Sequence, residues 1–262
     1  MLPALWIAKT GLEAQTKDLA VISNNLANAG TVGFKKSRIA FEDLFYQNLR
    51  QPGADSSQDT RLPSGLQIGT GVKVVATQKI HTQGNFQTSE NQLDMAIQGN
   101  GFFQILLPDG STGYTRAGNF TLDENGQIVT QGSGYVLQPA ITIPQTAISM
   151  DVSTDGTITV QEPGQAAPTN LGTVQLADFI NPTGLQPIGE NLYVETGSSG
   201  APVIGTPGLD GIGALRGGQL ETSNVSTVEE LVAMIETQRT YETNAKVLSA
   251  VDQMLQFINQ TL

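Results

Sequence analysis

The stretch that decides the fold is TVEELVAMIETQRTYETNAKVLSAVDQMLQFINQTL, residues 227–262. Its apolar residues recur every seven positions, namely at Met234, Tyr241, Leu248, Leu255 and Leu262. A repeat of this length keeps one stripe of a helix facing a partner helix. Two overlapping pairs have the spacing of a capping box, Ser226 with Glu229 and Thr227 with Glu230. We therefore expect one long helix here, with an apolar stripe to bury.

A second helix is predicted near the other end of the chain, over residues 4–29. Pro3 suits a first helical turn and Gly30 suits a left-handed C-cap. Its leucines also fall seven apart, at Leu5, Leu12, Leu19 and Leu26. Two such helices predict a subunit whose ends assemble with other copies, although one self-contained helical hairpin would explain the same repeats.

The pattern between the helices favours short strands. Runs such as GVKVVATQKIH and GFFQILL are rich in β-branched or aromatic residues and are separated by turn signals. Hairpin-type dipeptides occur at Asp109-Gly110, Asn125-Gly126, Asp155-Gly156 and Asp210-Gly211. The segment 51–65 is polar and aperiodic, which is typical of a flexible loop.

The expected fold class is therefore α+β, with long N- and C-terminal helices forming a coiled-coil-like pair and a central, mostly antiparallel β domain. Four parts are expected. They are an assembly helix at 1–30, a bridging arm with a polar segment at 31–65, a β-rich domain at 66–220 and a second assembly helix at 221–262.

The composition excludes several classes of function. The net charge of −11 argues against a nucleic acid or an anionic membrane as partner. There is no cysteine, so neither a disulfide framework nor a thiolate metal site can form. The N-terminal apolar run is too short for a secretory signal, and no stretch reaches the roughly 20 apolar residues that span a bilayer. We expect no membrane insertion and no cleaved signal peptide.

Candidates for chemistry are weak. The single histidine, His81, lies in an alternating run without an evident orienting partner, so a strand or loop position is favoured over a general base. Asp123-Glu124-Asn125-Gly126 resembles the start of a calcium loop but lacks its closing glutamate. We expect no catalytic residue, no metal and no cofactor, and hence no enzyme.

Three segments resemble the flagellar rod and hook protein family. They are ISNNLANAGTVGFKKSR at 22–38, GNGFFQILLPDGSTGYTRAGNFTLDENGQIVT at 99–130 and LETSNVSTVEELVAMIETQRTYETNAKVLSAVDQML at 220–255. The residues that carry the first signature are Asn24, Asn25, Leu26, Asn28, Gly33, Phe34 and Lys35. Segments 46–65 and 183–196 are similar to those of distal rod subunits, with a proximal rod or hook subunit as the alternative.

The resemblance implies a structural subunit that polymerises into a straight helical tube and transmits torque from motor to hook. It implies a homopolymer that contacts other rod and hook proteins and surrounding ring proteins. It also implies export through the flagellar type III apparatus to the basal body, where the rod crosses the periplasmic space. The expected assembly interface comprises Leu5, Leu12, Leu19, Ile22 and Leu26 on one helix and Met234, Tyr241, Leu248, Val251 and Leu255 on the other.

Two other classes are weighed against this one. A peptidoglycan-cleaving enzyme would serve a rod that crosses the cell wall, but no placed acid and base is evident. A carbohydrate-binding β domain would need aromatic platforms, for which Phe102-Phe103 and Phe45-Tyr46 are the candidates. Core packing is favoured for both pairs.

Overall fold

The protein is described by a computed structural model over residues 2–53, 55–57, 60–61, 64–164 and 167–261. A helix lies near each end and antiparallel strands lie between, which confirms the α+β class. In chain order the elements are α1 (Leu2–Ala27), β1 (Ser37–Asp43), β2 (Tyr46–Arg50), β3 (Asp55–Ser57), β4 (Thr60–Arg61), β5 (Leu66–Gly69), β6 (Val72–Lys79), β7 (Phe86–Thr88), β8 (Met95–Gln98), β9 (Phe102–Leu106), β10 (Thr112–Thr115), β11 (Phe120–Leu122), β12 (Ile128–Thr130), β13 (Leu137–Gln138), β14 (Ser149–Val152), β15 (Thr157–Gln161), β16 (Thr169–Thr173), β17 (Leu176–Asp178), a 3₁₀ helix (Pro182–Gly184), β18 (Gln186–Gly189), β19 (Leu192–Val194), β20 (Val203–Gly205), β21 (Ala214–Gly217), β22 (Gln219–Glu221) and α2 (Thr227–Thr261).

The chain divides into two compact units. The helix unit comprises Met1–Ala27, Ser37–Gln78 and Ser226–Leu262, and the β unit comprises Asn28–Lys36 and Lys79–Val225. Both units are therefore discontinuous in sequence. The four-part division expected from the sequence stays a prediction.

The two helices of the helix unit pack against each other. The predicted start of α2 is confirmed, because the Ser226 Oγ accepts a hydrogen bond from the backbone N–H of Glu229 at 3.5 Å. Leu262, the last residue of the predicted repeat, lies outside the described residues.

The end of α1 differs from expectation. The helix ends at Ala27, and the first glycine with a left-handed backbone is Gly33 (φ 69°) rather than Gly30. A turn closed by the Thr31 N–H to the Asn28 carbonyl, at 3.1 Å, follows the helix instead. A Cβ on Gly33 would lie 2.6 Å from the backbone nitrogen of Ala117. Glycine is therefore required at 33 for both conformation and space.

Strands β1 to β6 form one interrupted ribbon in the helix unit. Strand β1 pairs with β6, β2 pairs with β5, and β3 pairs with β4. Strands β5 and β6 lie within the range 66–220 expected for the β-rich domain, yet they pair with β2 and β1, which precede that range. An alternating pattern identifies a strand but not its partner. The predicted loop at 51–65 holds β3 and β4, although residues 54, 58–59 and 62–63 of it lie outside the described residues.

The β unit is built on a sheet with strand order β18-β19-β10-β9-β17-β20, and β13 also pairs with β9. Strand β9 explains why the run GFFQILL is apolar without alternation. Phe103 and Ile105 enter the main core, whereas Phe102 enters a second cluster with Tyr114, Phe179 and Tyr193. This strand is buried on both faces, which a continuous apolar run predicts.

Three of the four predicted dipeptide turns join paired strands: Asp109-Gly110 joins β9 to β10, Asn125-Gly126 joins β11 to β12, and Asp155-Gly156 joins β14 to β15. Asp210-Gly211 is different. Both of its residues have positive φ, 53° and 82°, but it connects β20 to β21, which pair with β17 and β8 respectively. The turn chemistry was predicted correctly, and the hairpin was not.

Candidate assembly interface

Helices α1 and α2 run antiparallel, and three cross-helix pairs define their register. The Asn25 Nδ2 donates to Glu230 Oε2 at 3.2 Å, and the Thr237 hydroxyl donates to Asp18 Oδ2 at 3.3 Å. At the third level the helix backbones approach closely, because a Cβ on residue 11, a glycine, would lie 3.2 Å from the side-chain nitrogen of residue 244, an asparagine. The pairs advance by seven residues on each helix, which makes them three polar layers of one seam.

The predicted assembly residues lie beside this polar seam as well as in it. Ile22 and Val251 are buried, and Tyr241 is 40% exposed. The other seven are half-buried, namely Leu5, Leu12, Leu19, Leu26, Met234, Leu248 and Leu255. The structure thus gives most of the leucine stripe only partial cover within one chain. Their role in assembly stays a prediction.

Asn25 is the most connected residue of the seam. Its Nδ2 also donates to the Ser37 carbonyl at 2.9 Å, and its Oδ1 accepts from the Ser37 N–H at 2.8 Å. The side chain is 2% exposed and its partner Glu230 is 8% exposed. One short amide therefore connects the end of α1, the first residue of β1 and the first turn of α2.

Asp18 is the other acidic residue of the layers. Burial raises the pKa of its carboxyl, and the hydrogen bond from the Thr237 hydroxyl opposes that rise. The seam therefore desolvates the Asp18 carboxylate, and its hydrogen-bond partner across the seam is a neutral hydroxyl rather than a cation. The free energy of the ionised Asp18 carboxylate therefore depends on which residue of α2 lies opposite it.

Large apolar side chains remain exposed on both the helices and the ribbon. On the helices they are Trp6, Ile7, Val228, Leu231, Val232, Ile235, Tyr241, Val247, Met254, Phe257 and Ile258. On the ribbon they are Phe41, Phe45, Tyr46, Leu49, Leu66, Ile68 and Val75. Phe45, at 94%, is the extreme case. Exposed apolar residues in such number are typical of surfaces that bind another protein.

The β unit contains a buried ion cluster. The Lys35 Nζ donates to Glu221 Oε1 at 2.6 Å and to the Thr82 carbonyl at 2.8 Å. The Arg116 Nη1 lies 3.4 Å from Glu221 Oε2, and the Gly84 N–H donates to Oε1 at 2.9 Å. Both side chains of the Lys35–Glu221 pair are fully buried. Desolvation lowers the pKa of Lys35 and of Arg116, and the Glu221 carboxylate opposes both shifts.

His81 packs beside this cluster. Its ring meets the edges of Phe102 and Tyr193, with centroid distances of 5.5 and 5.7 Å. Burial first, and then the nearby charges of Lys35, Arg116 and Lys79, lower its pKa to about 4. The ring is therefore neutral at pH 7 and serves as a packing group.

The signature residues fall on both sides of the unit boundary. Gly33, Phe34 and Lys35 are buried in the β unit, and the Lys79 ammonium lies 4.3 Å from the centre of the Phe34 ring. In the helix unit, Asn25 is buried, Leu26 is half-buried and Asn24 is exposed. Asn28, half-buried in the β unit, accepts from the Thr31 hydroxyl at 3.2 Å.

A polar cleft of about 530 Å³ lies in the β unit. Its polar side chains bond to one another, for example Asn119 to Gln131 at 3.1 Å and Ser133 to Glu190. Such groups do not require a ligand to be satisfied. Within the described ranges no group of three or more His, Asp or Glu side chains is placed to hold a metal ion. Neither of the two described helices is long and apolar enough to cross a membrane.

Comparisons with known proteins match the chain along most of its length. Three family models match: "Flagella basal body rod protein" over residues 5–35, "Flagellar hook protein FlgE/F/G D1 domain" over 96–160 and "Flagellar basal body rod FlgEFG protein C-terminal" over 216–261. The flagellar basal-body rod protein FlgG of Buchnera aphidicola from Schizaphis graminum is 55% identical over 99% of this chain and 100% of its own length. The same protein of Buchnera aphidicola from Acyrthosiphon pisum is 54% identical over the same shares.

The chain belongs to the FlgG family of flagellar basal-body rod proteins.

The match to a hook protein is narrower. The flagellar hook protein FlgE of Helicobacter mustelae is 41% identical over 53% of this chain and only 30% of its own length. Full-length similarity is thus to FlgG proteins, and this FlgG family member is a structural subunit of the rod in the flagellar basal body. The family predicted from the three sequence segments is confirmed.

Sequence reasoning missed several residues of this FlgG family member that hold its geometry. Glu221, Arg116 and Asn224 are three of them. Asn224 Oδ1 accepts from the Lys36 N–H at 2.7 Å, and its Nδ2 donates to the Ile80 carbonyl at 2.8 Å. A lone polar residue next to an apolar strand is the only signal they leave, and it does not identify a partner far along the chain.

Proposed function

We propose that this chain polymerises, through the exposed faces of α1 and α2, into the helical tube of the distal rod and transmits torque from the motor to the hook. Copies of the chain meet head to tail, since a contact between unlike surfaces that does not close a ring generates an open helical filament. The β unit and the ribbon supply further contacts to neighbours. The chain acts as a mechanical element rather than as an enzyme.

The observation that carries the proposal is the outer surface of α2. Val228 is 69% exposed, Val232 59% and Ile235 52%, although they lie in the same two turns as the buried Glu230. A helix that points its carboxylate inward and its β-branched residues outward is not optimised for a lone chain. Each large apolar side chain covered on assembly contributes about 1.5–3 kcal/mol before entropy is subtracted.

Partners and location extend the same reasoning. Other rod and hook proteins are the neighbours at the two ends of the polymer, and ring proteins surround it. The chain reaches the periplasmic space through the flagellar type III export apparatus. The 46–65 segment, part of which forms β2, supports the distal position by its resemblance to distal rod subunits. A proximal rod subunit is the second candidate within the family.

The test replaces exposed apolar residues of α2 in cells that lack the wild-type gene. Val232→Glu and Ile235→Glu remove apolar area that the single chain does not bury. We expect both variants to be made and to fold as single chains, and to abolish rod formation and swimming. Electron microscopy of isolated basal bodies and migration in soft agar measure the two outcomes.

A matched control carries the same added charge. Gln238 is exposed on α2 and is already polar, so Gln238→Glu should leave rods in place. Rods of normal length in both the Val232→Glu and Ile235→Glu strains would show that this face is not an assembly surface.

A further inference from the structure

The apolar repeat alone does not determine how α1 and α2 are aligned. The leucines of α1 recur every seven residues, and so do the apolar residues Met234, Tyr241, Leu248 and Leu255 of α2. If one helix slides along the other by seven residues, about 10.5 Å, each residue of the repeat is replaced by the next residue of the same repeat. Apolar residues then still occupy these positions along most of the seam. Burial of apolar area is therefore nearly the same in the two registers.

The polar layers are not equivalent under the same slide. If α2 moves by seven residues in one direction, Glu230 comes to lie opposite Asp18. Two carboxylates are then desolvated at the same level of the seam. That arrangement raises the free energy of at least one ionised carboxylate. Moved the other way, Glu230 passes the end of α1 at Ala27 and loses the Asn25 amide. The native register therefore keeps a cross-helix hydrogen bond that this slide breaks.

The third layer adds a steric condition. Gly11 lies in the interior of α1, where glycine is less favourable than alanine. Glycine nevertheless suits this position, because a Cβ on residue 11 would lie only 3.2 Å from the Asn244 side chain. The smallest residue of α1 thus faces an amide of α2 in this register only.

We propose that the three polar layers, Gly11–Asn244, Asp18–Thr237 and Asn25–Glu230, are specificity-determining residues that fix the register of α1 against α2. A polar residue in a helix seam commonly specifies register at a cost in stability. Here three unlike layers, each repeated at the same interval as the leucines, distinguish the native register from both one-heptad slides. The inference concerns pairing within one chain and is independent of the proposed function.

The test uses the natural absence of cysteine. Three reporter pairs are made in the full-length chain, with Gln15→Cys combined in turn with Thr240→Cys, Ala233→Cys or Val247→Cys. The first pair stands level in the native register, and the other two would stand level only after a slide of seven residues in one or the other direction. A short bismaleimide cross-linker is applied at low protein concentration, and the intramolecular product is quantified by mass spectrometry.

The native pair should cross-link at least about tenfold more than either slipped pair. Replacing the layers by Asp18→Leu, Thr237→Leu and Glu230→Leu should bring the three yields to within about threefold of one another. The matched control changes three flanking leucines to methionine (L12M, L19M and L26M) and should keep the tenfold preference. A tenfold preference that survives the loss of the layers, or that is absent from the unaltered seam, would overturn the proposal.

A single conservative variant tests the direction of the effect without threatening the fold. Asp18→Asn keeps a hydrogen-bonding partner for Thr237 but removes the carboxylate that would meet Glu230. The product with Ala233→Cys should then rise by about threefold or more, while the product with Val247→Cys stays unchanged. A rise of the second product alone, or of neither, would contradict the assignment of roles to the layers.

Discussion

The helix unit and the β unit bury polar groups in opposite ways. The β unit concentrates Lys35, Glu221 and Arg116 at one point inside a dense apolar core, where each charge has a partner. The helix unit distributes single polar residues along a narrow seam, one layer every seven residues. The ion cluster stabilises one arrangement of the strands around it strongly. The separate polar layers instead discriminate between similar helix registers, and each layer costs little stability. The following experiments separate these two uses of polarity.

The largest expected effect is in the β unit. Lys35→Met removes the cation that is 2.6 Å from Glu221 and leaves a buried carboxylate with one arginine at 3.4 Å. The free energy of unfolding should fall by about 3–5 kcal/mol, because Glu221 loses its nearest counter-charge while it stays buried. Urea unfolding followed by near-UV circular dichroism of the tyrosines measures it.

Lys73→Met is the matched control for that experiment. Lys73 forms an ion pair with Glu42 at 3.2 Å in which both side chains are more than half exposed. Loss of an exposed pair of this kind costs about 0–1 kcal/mol. Equal destabilisation by the two substitutions would remove the distinction between concentrated and surface charge.

The next effect is the pH dependence that His81 confers. Its pKa is about 4 in the folded state and about 6.5 in the unfolded state. Between these pH values the unfolded chain binds a proton that the folded chain does not, so stability falls as the pH falls from about 6.5 to about 4. Protonation of His81 should lower the free energy of unfolding by about 3 kcal/mol once the pH is below both pKa values.

His81→Gln should abolish that contribution. Thermal unfolding of wild type and variant is compared from pH 7 to pH 4, and the difference between the two curves isolates the imidazole from the carboxylates common to both. The wild type should lose more stability toward pH 4. Parallel curves would mean that the ring is protonated at no extra cost in the folded state.

In the helix unit a core deletion should cost less. Ile22 is 6% exposed, but its surroundings include half-buried leucines that are able to close in. Ile22→Ala should destabilise the helix pair by about 2 kcal/mol, the lower end for such a change in a core. Helix melting by far-UV circular dichroism measures it, with Ile7→Ala, at a position 37% exposed, as the control. A loss at Ile7 as large as that at Ile22 would place the seam elsewhere.

The smallest expected effect is at the start of α2. Ser226→Ala removes the hydroxyl that caps the Glu229 N–H and should cost about 1 kcal/mol of helix stability. Ser226→Asp should restore it, since aspartate is an equally good N-cap. The same melting experiment applies, and an alanine variant as stable as wild type would show that the 3.5 Å contact contributes nothing.

The sequence was sufficient for the elements with strong periodicity or local chemistry. The long helix after Ser226, the doubly buried strand around Phe103 and the turn at Asn125-Gly126 follow from capping, apolar runs and turn residues. Each of these signals lies within a few residues of the chain, which is why a single sequence is enough to reveal it.

Pairing across the chain could not be read in this way. Lys35 and Glu221 are 186 residues apart, and nothing local to either residue indicates the other. The polar layers escaped notice for a different reason. The leucine stripe does not include Asp18 and Asn25, although these are the residues of α1 that hydrogen-bond to Thr237 and Glu230 of α2.

The ribbon of β1 to β6 leaves the β unit after Lys36 and returns before Ile80, whose N–H donates to the Lys36 carbonyl at 2.9 Å. An excursion that starts and finishes at one hydrogen-bonded pair can be lengthened or trimmed by equal steps on its two sides while its root stays as it is. The length of the paired strands beyond this hydrogen bond is therefore open to change by insertion or deletion.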